Sequence, residues 1–480
     1  MLRNADRPQV ESNEPFVPLA EELLPAPDPE QALLRLARRR HVLFLDSALR
    51  HERLGRYSFL TCEPAAFLVR QSDEPGALDA AAALLAAGRA EPLPELPPFQ
   101  GGVAGLFAYD LNRQLEPVPA ARWDEFRVPA LAVGLYDVVA AWDHRQQRAW
   151  IISQGLPAST PRQRRARAAA RLRAFRDWLA APAVQPDEAI GRTRLLAAAQ
   201  LAPQFQAGSL PRLTSNFSRE GYLQAVERAI EYIYAGDVFQ VNLAQRLLHP
   251  AVGSSLALYL RLRRRNPATF AAYFDLGRFQ LVSASPERFL QVQHGAVEAR
   301  PIKGTRPRTS WPEADLFAGD ELQASVKDCA ENVMIVDLLR NDLSRVCQPH
   351  SVRVTELCSL EPYPYVQHLV SAVRGLLRPG MGAMDLLRAA FPGGSVTGAP
   401  KVRAMQIISE LEQVARGAYC GVLAYLGFDG SMDSSILIRT ITAGRGWWQA
   451  PVGGGIVAAS DPAVEYEETW HKAAGLLRAM

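Results

Sequence analysis

Motifs that suggest chemistry are distributed unevenly along the sequence, and this limits how the chain can be divided into folding units. Few such motifs occur up to about residue 215, whereas they follow one another closely from Ser215 onward. A chain of 480 residues is too long for one ordinary compact domain. The sequence therefore predicts an N-terminal region over residues 1–214 and a second, motif-rich domain over residues 215–480, or one large composite fold.

Short runs rich in aliphatic and β-branched residues, bounded by polar breakers, predict β-strands in both parts of the chain. The runs span residues 41–46, 131–139, 149–153, 238–247, 279–283, 422–425 and 436–441. Apolar residues at helical spacing predict helices that begin at Ser218 and at Lys327. We therefore expect a fold that mixes strands and helices.

The predicted helix over residues 162–179 is rich in arginine and allows two interpretations. The arginines could form a nucleic-acid patch, or they could be the solvated face of a helix whose Leu172, Phe175 and Leu179 pack inward. The rest of the chain offers no stacking aromatic residues or known nucleic-acid motif nearby. We therefore favour the solvated helix face.

Composition argues against several classes of function. The formal net charge of +3 is near neutral for this length and does not indicate binding to nucleic acid or to a membrane surface. No uninterrupted apolar run is long enough to span a bilayer, and residues 1–8 lack the apolar core of a signal peptide. The five cysteines are scattered, without a Cys-x-x-Cys pair. We therefore expect a cytoplasmic protein with reduced thiols.

Two pairs of carboxylates lie on predicted helices. Asp328 and Glu331 are three residues apart and share one helix face. Glu465 and Glu468 have the same spacing after a cap-and-proline helix start at residues 460–462, and Lys472 follows on the same face. Each pair alone could be ordinary surface charge. Two helices that each present a pair suit a hard divalent cation such as Mg²⁺.

Lys303 and Glu287 are candidates for catalysis. Pro301 and Gly304 flank the lysine, which favours a rigid segment with a tight turn. Lys303 could be a solvated loop charge, or a nucleophile if burial keeps its amine neutral. Glu287 follows Pro286 at the end of a predicted strand. Its carboxylate could lie on the surface or point into a cleft.

Segments that contain glycine could bind an anionic small molecule. Residues 391–401 include Thr397 and precede a helix, but they lack the spacing of a P-loop. Gly454 and Gly455 end a predicted strand and could bring backbone N–H groups onto a carboxylate. Arg439 lies within the apolar run 436–441 and needs an anionic partner, which a substrate carboxylate would supply.

These motifs occur together and in order, and residues from about 215 to 480 resemble the chorismate-utilising enzyme family. The segments that carry the resemblance are residues 236–246, 285–287, 331–342, 368–371, 398–401, 454–457 and 465–472. The resemblance is weaker before residue 215, where it rests on residues 45–47 and 56–58. It implies an α+β fold with antiparallel β-sheets packed as a sandwich and flanked by helices, with the catalytic domain at residues 215–480.

Two positions distinguish branches within this family. Members that add water to the chorismate ring carry a lysine base where this chain has Gln240. Members that place nitrogen at C2 of the ring, forming anthranilate, have alanine where this chain has Lys303. The resemblance therefore implies amination at C4, which yields 4-amino-4-deoxychorismate for p-aminobenzoate and folate. Lys303 would be the nucleophile of a covalent adduct, and Glu287 would protonate the leaving hydroxyl.

The resemblance also implies the remaining site residues. Glu331 and Glu468 would hold Mg²⁺, with Asp328 and Glu465 further out or acting through water. Substrate contacts would come from Asn242, His368, Thr397, Tyr419, Arg439, Gly454, Gly455 and Lys472. No glutaminase motif is apparent, so a separate glutamine amidotransferase subunit would supply the ammonia that reacts with chorismate.

Three other interpretations stay open at this point. The chain could form anthranilate, since mainly one residue argues against it. It could form isochorismate, against which Gln240 argues. It could also be a catalytically silent scaffold or effector-binding subunit, although it has kept both acidic pairs, Glu287 and Lys303.

Overall fold

The structure is a computed structural model, and it describes residues 16–480 except 52–53, 87, 89, 189–194, 310 and 363–365. The absence of a signal peptide was predicted from residues 1–8, which lie outside the described residues. Among the helices of the described residues, none is both long enough and apolar enough to cross a bilayer.

Strands outnumber helices in the described part of the chain. The strands are β1 (Leu19–Glu22), β2 (Leu43–Asp46), β3 (Tyr57–Thr61), β4 (Ala66–Arg70), β5 (Gly102–Phe107), β6 (Leu131–Tyr136), β7 (Val138–Asp143), β8 (Arg148–Ser153), β9 (Phe205–Gln206), β10 (Thr214–Ser215), β11 (Gln240–Pro250), β12 (Phe270–Asp275), β13 (Phe279–Ser285), β14 (Arg288–Gln293), β15 (Ala296–Ala299), β16 (Ile302–Pro307), β17 (Arg353–Pro362), β18 (Val366–Leu376), β19 (Gly398–Ala399), β20 (Val422–Gly427), β21 (Met432–Ile436), β22 (Thr440–Gly444) and β23 (Trp447–Ile456). The α-helices are α1 (Pro29–Leu36), α2 (Ala77–Ala86), α3 (Pro161–Ala180), α4 (Arg219–Tyr234), α5 (Ser255–Arg265), α6 (Pro312–Ala324), α7 (Val326–Ser344), α8 (Ala383–Ala390), α9 (Lys401–Glu412) and α10 (Pro462–Leu477).

The described strands form two antiparallel sheets. The large sheet has thirteen strands in the order β1-β8-β7-β3-β2-β12-β13-β22-β23-β11-β10-β9, with β19 paired to β11. The small sheet has ten strands in the order β16-β18-β15-β14-β21-β20-β5-β6-β4, with β17 paired to β18. Buried residues of both sheets share one apolar core, which includes Phe59 and Leu281 of the large sheet and Leu106 and Leu423 of the small sheet. The predicted α+β sandwich is confirmed.

Both sheets contain strands from each side of the predicted boundary at residues 214 and 215. In the large sheet β2 pairs with β12, where Leu45 lies opposite Ala272. In the small sheet β5 pairs with β20, where Leu106 lies opposite Leu423. The N-terminal region therefore completes sheets that the second part begins. The boundary itself stays a prediction.

The sequence predicts one strand for each of two apolar runs, but each run is divided between the two sheets. The run 131–139 becomes β6 of the small sheet and β7 of the large sheet, separated by the buried Asp137. The run 436–441 becomes the end of β21 in the small sheet and the start of β22 in the large sheet. The prediction that Arg439 lies within a strand is therefore wrong. Arg439 lies in the crossover and has a φ of +50°.

The arginine-rich helix α3 has the predicted structural role. Leu172, Phe175 and Leu179 are buried in the core. On the same helix, the guanidinium of Arg171 lies 3.1 Å from a carboxylate oxygen of Asp137. Because Asp137 is fully buried where the chain changes sheets, this ion pair holds α3 against the crossover.

Two helices cover the end of the sandwich where the acidic pairs lie. The side chain of Ser325 caps α7 by accepting a hydrogen bond from the backbone N–H of Asp328. The side chain of Asp461 caps α10 in the same way, and Pro462 occupies its first turn, as the sequence predicts. Helix α7 packs on β16, β17 and β18, and α10 packs on β23. The caps therefore fix helices on neighbouring parts of both sheets.

A buried ion pair joins α9 to β11. Arg416 and Glu412 each have side chains that are 3% exposed, and two bonds of 2.6 and 2.9 Å connect them. Arg416 also donates to the carbonyls of Val396 and Asn242, both at 2.9 Å. Glu412 accepts a bond of 2.9 Å from the backbone N–H of Ala244. These bonds fix the loop before α9 relative to β11.

Replacing Arg416 with leucine should leave the carboxylate of Glu412 buried without its charge partner. We expect the free energy of unfolding to fall by about 3–5 kcal/mol, measured by chemical denaturation. The matched control is Arg403→Leu, because Arg403 and its partner Asp237 are 37% and 32% exposed. That variant should lose less than about 1 kcal/mol. Equal losses in the two variants would contradict the role of the buried pair.

Candidate active site

A cavity of about 760 Å³ opens between the two sheets, beneath α7 and α10. It brings together residues that are far apart in sequence. The predicted site residues that line it are Asn242, Glu287, Lys303, Asp328, Glu331, His368, Tyr419, Arg439, Gly455, Glu468 and Lys472. Thr397, Gly454 and Glu465 lie behind its wall, as described below. The predicted residues therefore form one site, although their individual roles stay predictions.

Lys303 lies on β16, inside the cavity. Its side chain is 14% exposed, and its Nζ is 3.9 Å from Oε2 of Glu331. Burial lowers the pKa of Lys303, while the charges of Glu331 and Glu287 act to raise it. The interpretation of Lys303 as a solvated loop charge is therefore excluded.

The glycine after Lys303 is needed for the geometry of β16. Gly304 has a φ of +73°, and a Cβ built there would lie 2.7 Å from Cδ1 of Leu322 on α6. The register of β16 against β18 shifts between Lys303 and Thr305. Gly304 therefore permits an irregularity in β16 directly beside the cavity.

Glu287 is buried rather than on the surface. It follows β13, is 6% exposed, and accepts a hydrogen bond of 3.0 Å from Oγ of Ser395. Burial raises the pKa of Glu287 to about 7, although Lys303 and Ser395 act to lower it. A carboxyl group with this pKa is partly protonated at neutral pH. It can therefore donate a proton there.

His368 and Arg439 lie on the same side of the cavity. Burial and the charge of Arg439 lower the pKa of His368 to about 4, so its imidazole is neutral at neutral pH. Burial also lowers the pKa of Arg439, against the opposing charge of Glu287. The backbone carbonyl of Arg439 accepts a bond of 3.1 Å from the N–H of Ala284. The crossover thus turns a guanidinium toward the cavity.

Asn242 on β11 has a side-chain oxygen that could accept a hydrogen bond from a ligand. Its side chain is 7% exposed, and among the described residues its Oδ1 has no hydrogen-bond partner. Thr397 supports it from behind, because the Thr397 carbonyl accepts a bond of 2.8 Å from the N–H of Asn242. The Thr397 hydroxyl itself donates to the carbonyl of Gly393 at 3.0 Å. In this structure Thr397 therefore positions Asn242.

The glycines of β23 allow α10 to lie close to the strand. A Cβ at Gly454 would be 3.3 Å from Oε2 of Glu465 and 3.5 Å from Nζ of Lys472. A Cβ at Gly455 would lie 2.0 Å from Nε2 of Gln240, so a larger residue there would displace that amide. Lys472 donates to the carbonyl of Gly453 at 2.9 Å. The strand thus forms a floor beneath the charged groups of α10.

Tyr419 closes the cavity beside β20. It is 5% exposed, and burial raises the pKa of its phenol well above the usual value. The guanidinium of Arg416 lies 5.7 Å from the centre of its ring. The phenol is therefore protonated at any pH at which the protein works, and it can donate a hydrogen bond to an anionic oxygen.

Each carboxylate of the two acidic pairs lies near a cationic side chain. On α7, Glu331 is near Lys303, and Asp328 is 3.9 Å from Arg306. On α10, Glu468 pairs with Lys472 at 2.7 Å. Glu465 lies 3.7 Å from Lys327 and is 2% exposed. The acidic groups are therefore balanced by neighbouring cations.

Burial and neighbouring charges shift the pKa values of three of these carboxyl groups in different directions. Burial raises the pKa values of Glu331 and Glu465. Burial also acts to raise the pKa of Glu468, but the charge and hydrogen bond of Lys472 oppose it, and the net shift is downward. Glu468 is therefore the most readily ionised of these three groups.

The donor set fits a hard divalent cation in kind, since it consists of carboxylate oxygens. Among the described residues, no group of three His, Cys, Asp or Glu side chains converges closely enough to hold a metal ion. Mg²⁺ needs only one or two protein carboxylates, because it keeps water molecules and takes substrate oxygens. Glu331 and Glu468 line the same cavity and are the carboxylates that would hold such an ion.

Among the cavity residues that the sequence did not identify, three have side chains that contact predicted carboxylates. Ser395 donates to Glu287, Lys327 approaches Glu465, and Arg306 approaches Asp328. Lys327 precedes Glu331 by four residues, so helical spacing could have placed it on the acidic face. Ser395 lies in the glycine-rich segment before α9, but nothing local to the sequence connects it with Glu287.

Comparisons with known proteins agree with this geometry. The model of a family described as chorismate binding enzyme matches residues 44–478. Aminodeoxychorismate synthase component 1 of Klebsiella aerogenes is 44% identical over 390 residues, which cover 81% of this chain and 79% of that protein. Anthranilate synthase component 1 of Thermus thermophilus is 42% identical over 392 residues, with the same coverage of 81% and 79%.

A solved structure supports the same conclusion. The crystal structure of anthranilate synthase component I from Streptococcus pneumoniae matches with a TM-score of 0.72 at 29% identity, covering 89% of this chain and 93% of that one. The family match spans nearly the whole chain, including strands of both sheets and every residue of the cavity. The chain therefore belongs to the chorismate binding enzyme family and is a chorismate-utilising enzyme.

Proposed function

We propose that this enzyme converts chorismate and ammonia to 4-amino-4-deoxychorismate, as component 1 of a two-subunit synthase. The observation that carries the proposal is the amine of Lys303 inside the cavity, 3.9 Å from Glu331 and within the electrostatic influence of Glu287. Direct attack of ammonia on the substrate does not require a lysine at this place. A covalent route to C4 does.

The first step forms a bond between Nζ of Lys303 and C2 of the chorismate ring. The two ring double bonds shift, and the hydroxyl at C4 leaves. Glu287 gives this hydroxyl its proton, so that water departs and the carboxylate remains. A carboxyl group whose pKa is near 7 is suited to this role.

The second step uses ammonia. Its nitrogen bonds to C4, the double bonds return, and the amine of Lys303 leaves C2. Glu287 accepts the surplus proton from the new C4 nitrogen, which restores the acid for the next cycle. The sum of both steps is one chorismate and one ammonia converted to the amino product and water. One difficult substitution thus becomes two easier ones.

The other cavity residues bind and orient the substrate. Chorismate carries two carboxylates, and Arg439, Lys472 and the phenol of Tyr419 supply the donors that suit them. The neutral His368 and the amide of Asn242 orient the ring. Glu331 and Glu468 would hold Mg²⁺, with Asp328 and Glu465 further out. When bound, Mg²⁺ neutralises a substrate carboxylate and withdraws electron density from the ring.

Ammonia is supplied by a separate subunit. The relatives from Klebsiella aerogenes and Thermus thermophilus are each named as component 1. We infer that a glutamine amidotransferase is the second component here. The amino product would then lead to p-aminobenzoate and folate, and the reaction would take place in the cytoplasm.

Anthranilate formation is the second candidate function. The Thermus thermophilus relative is only slightly less similar than the Klebsiella aerogenes relative, so overall identity does not separate the two activities. Lys303 favours the first candidate, because an amine that bonds to C2 prevents ammonia from attacking that carbon.

The decisive variant is Lys303→Ala. With chorismate, Mg²⁺ and ammonium, we expect the wild type to give a product that keeps the enolpyruvyl group and gains nitrogen at C4, identified by mass spectrometry. The variant should lose this product on the order of 10³-fold or more, together with any covalent adduct on the lysine peptide.

Lys303→Arg is the matched control. It keeps the charge opposite Glu331 but cannot form the adduct, so its product should fall as far as in the alanine variant. Wild-type turnover in either variant would show that Lys303 is not the nucleophile. Anthranilate and pyruvate from the wild type would instead support the second candidate.

The pKa of Glu287 predicts how turnover depends on pH at a fixed concentration of free ammonia. The protonated acid is the active form, and its pKa is about 7. The contribution of Glu287 is therefore complete below about pH 6 and falls about tenfold per pH unit above pH 7. Glu287→Gln should lower the rate by about 10²–10⁴-fold at low pH and abolish this decline. A decline that persists in the variant would assign it to another group.

Removal of divalent cations should stop turnover, and added Mg²⁺ should restore it. Calorimetric titration with chorismate present should show Mg²⁺ affinity reduced about 10–100-fold in Glu331→Gln and Glu468→Gln. The matched control is Glu467→Gln, which alters an exposed carboxylate adjacent to Glu468 on α10. Unchanged affinity in both cavity variants, or full turnover in excess chelator, would contradict the Mg²⁺ assignment.

A further inference from the structure

Helix α6 presents large apolar side chains to solvent beside the cavity. Trp311, at its N-cap, is 76% exposed, and Leu316 and Phe317 in the helix are each 70% exposed. Tryptophan and phenylalanine are enriched in protein interfaces, and a group of exposed apolar residues marks an interaction surface more often than a single one does. We call these residues, with Glu313 and Asp320, the α6 face.

The opposite side of α6 is already packed. A Cβ at Gly319 would lie 2.7 Å from Oε1 of Gln367, and Leu322 is fully buried. Residues 313, 316, 317 and 320 have the spacing of the other helix face. The apolar residues of the α6 face are therefore directed away from the core, so they add nothing to the packing of the helix itself.

The α6 face is also acidic. Residues 311–324 contain four carboxylates and no Lys, Arg or His. Two of the carboxylates have partners from the preceding segment, because Asp315 pairs with Arg308 at 2.7 Å and Glu321 lies 3.5 Å from Arg306. Glu313 and Asp320 are exposed beside the apolar residues. A complementary partner therefore has an apolar centre and a basic rim.

The face adjoins the rim of the active site. Ser325, Lys327 and Asp328, directly after α6, line the cavity. On the inner side of the helix, Cδ1 of Leu322 lies 2.7 Å from the position of a Cβ at Gly304, the residue after Lys303. A protein seated on the α6 face would therefore stand next to the cavity mouth and contact the helix that supports β16.

We propose that the α6 face is the docking surface for the subunit that hydrolyses glutamine to glutamate and ammonia. The inference rests on the proposed function, because that function requires ammonia at C4 of the substrate. Delivery next to the mouth shortens the path on which ammonia could be lost to solvent. A second copy of this chain is a poor occupant, since a two-fold interface would bring two acidic faces together.

The test is the double variant Leu316→Glu with Phe317→Glu, assayed with the purified glutamine amidotransferase subunit of the same organism. Product formation with glutamine should fall at least tenfold, and binding measured by calorimetry should weaken to match. Product formation with ammonium salt should stay within twofold of the wild type. The matched control is Leu24→Glu, which makes the same leucine-to-glutamate change once, at a residue that is 82% exposed in the N-terminal region.

A second variant tests the charge. Asp320→Asn keeps the shape of α6 but removes one negative charge, so association should slow and depend less on salt. If neither the double variant nor Asp320→Asn changes binding or the glutamine-dependent rate, the proposal is wrong. Equal loss with glutamine and with ammonium would show that α6 shapes the cavity instead, which also overturns it.

Light scattering tests whether a second copy of this chain, rather than the amidotransferase, occupies the α6 face. If the wild type is a dimer and the double variant is a monomer that still binds the amidotransferase, the face holds a second copy and the proposal fails. Failure of the docking proposal can be distinguished from failure of the proposed function. A wild type that makes anthranilate would refute amination at C4, yet binding and the ratio of the two rates would still report on docking.

Discussion

The burial of Lys303 beside Glu331 and Glu287 is the interaction on which the chemistry of the cavity depends. Burial disfavours the charged amine, and the two carboxylates partly offset this effect. The same burial raises the pKa of Glu287 to about 7, and the charge of Lys303 opposes it. The titrations of the two groups are therefore linked. On a solvated surface neither shift would be large, and the acid would be ionised at neutral pH.

That burial depends in turn on how the sheets are joined. The chain crosses from the small sheet to the large sheet at Asp137 and again at residues 437–439. The second crossover carries Arg439, and strands of both sheets together with α7 and α10 supply most of the remaining cavity wall. On its floor, Gly454 and Gly455 leave space for the side chains of α10 and for Gln240. A side chain at Gly454 would press on Glu465 and Lys472 of α10, and one at Gly455 would displace the amide of Gln240.

Local patterns explain which parts of this arrangement the sequence could predict. The acidic faces of α7 and α10 follow from spacing within one helix, and the Asp461 cap follows from adjacent residues. The resemblance to a family supplied the antiparallel sandwich and most of the residues that line the cavity. The position of Arg439 was predicted wrongly, because an apolar run looks the same whether it stays in one sheet or crosses between two.

The features that the sequence could not predict depend on contacts between distant segments of the chain. Ser395 bonds to Glu287 across 108 residues of sequence, and no local pattern indicates that pair. The carbonyl of Thr397 accepts a hydrogen bond from the backbone N–H of Asn242, and no local pattern indicates that contact either. The strands of the N-terminal region complete both sheets, a relation that periodicity within single strands does not contain. These are consequences of chain packing, which fixes positions only after the sheets have formed.

Overall similarity does not separate the relatives that are named for different products. Relatives named for two different products are 44% and 42% identical to this chain over the same 81% of its length. The two products differ in the ring carbon that receives nitrogen. A side chain that reaches C2 can decide this outcome, because it either leaves that carbon open to ammonia or bonds to it first. Position 303 lies on β16, the strand at the end of the small sheet, and the register of β16 against β18 shifts directly after it.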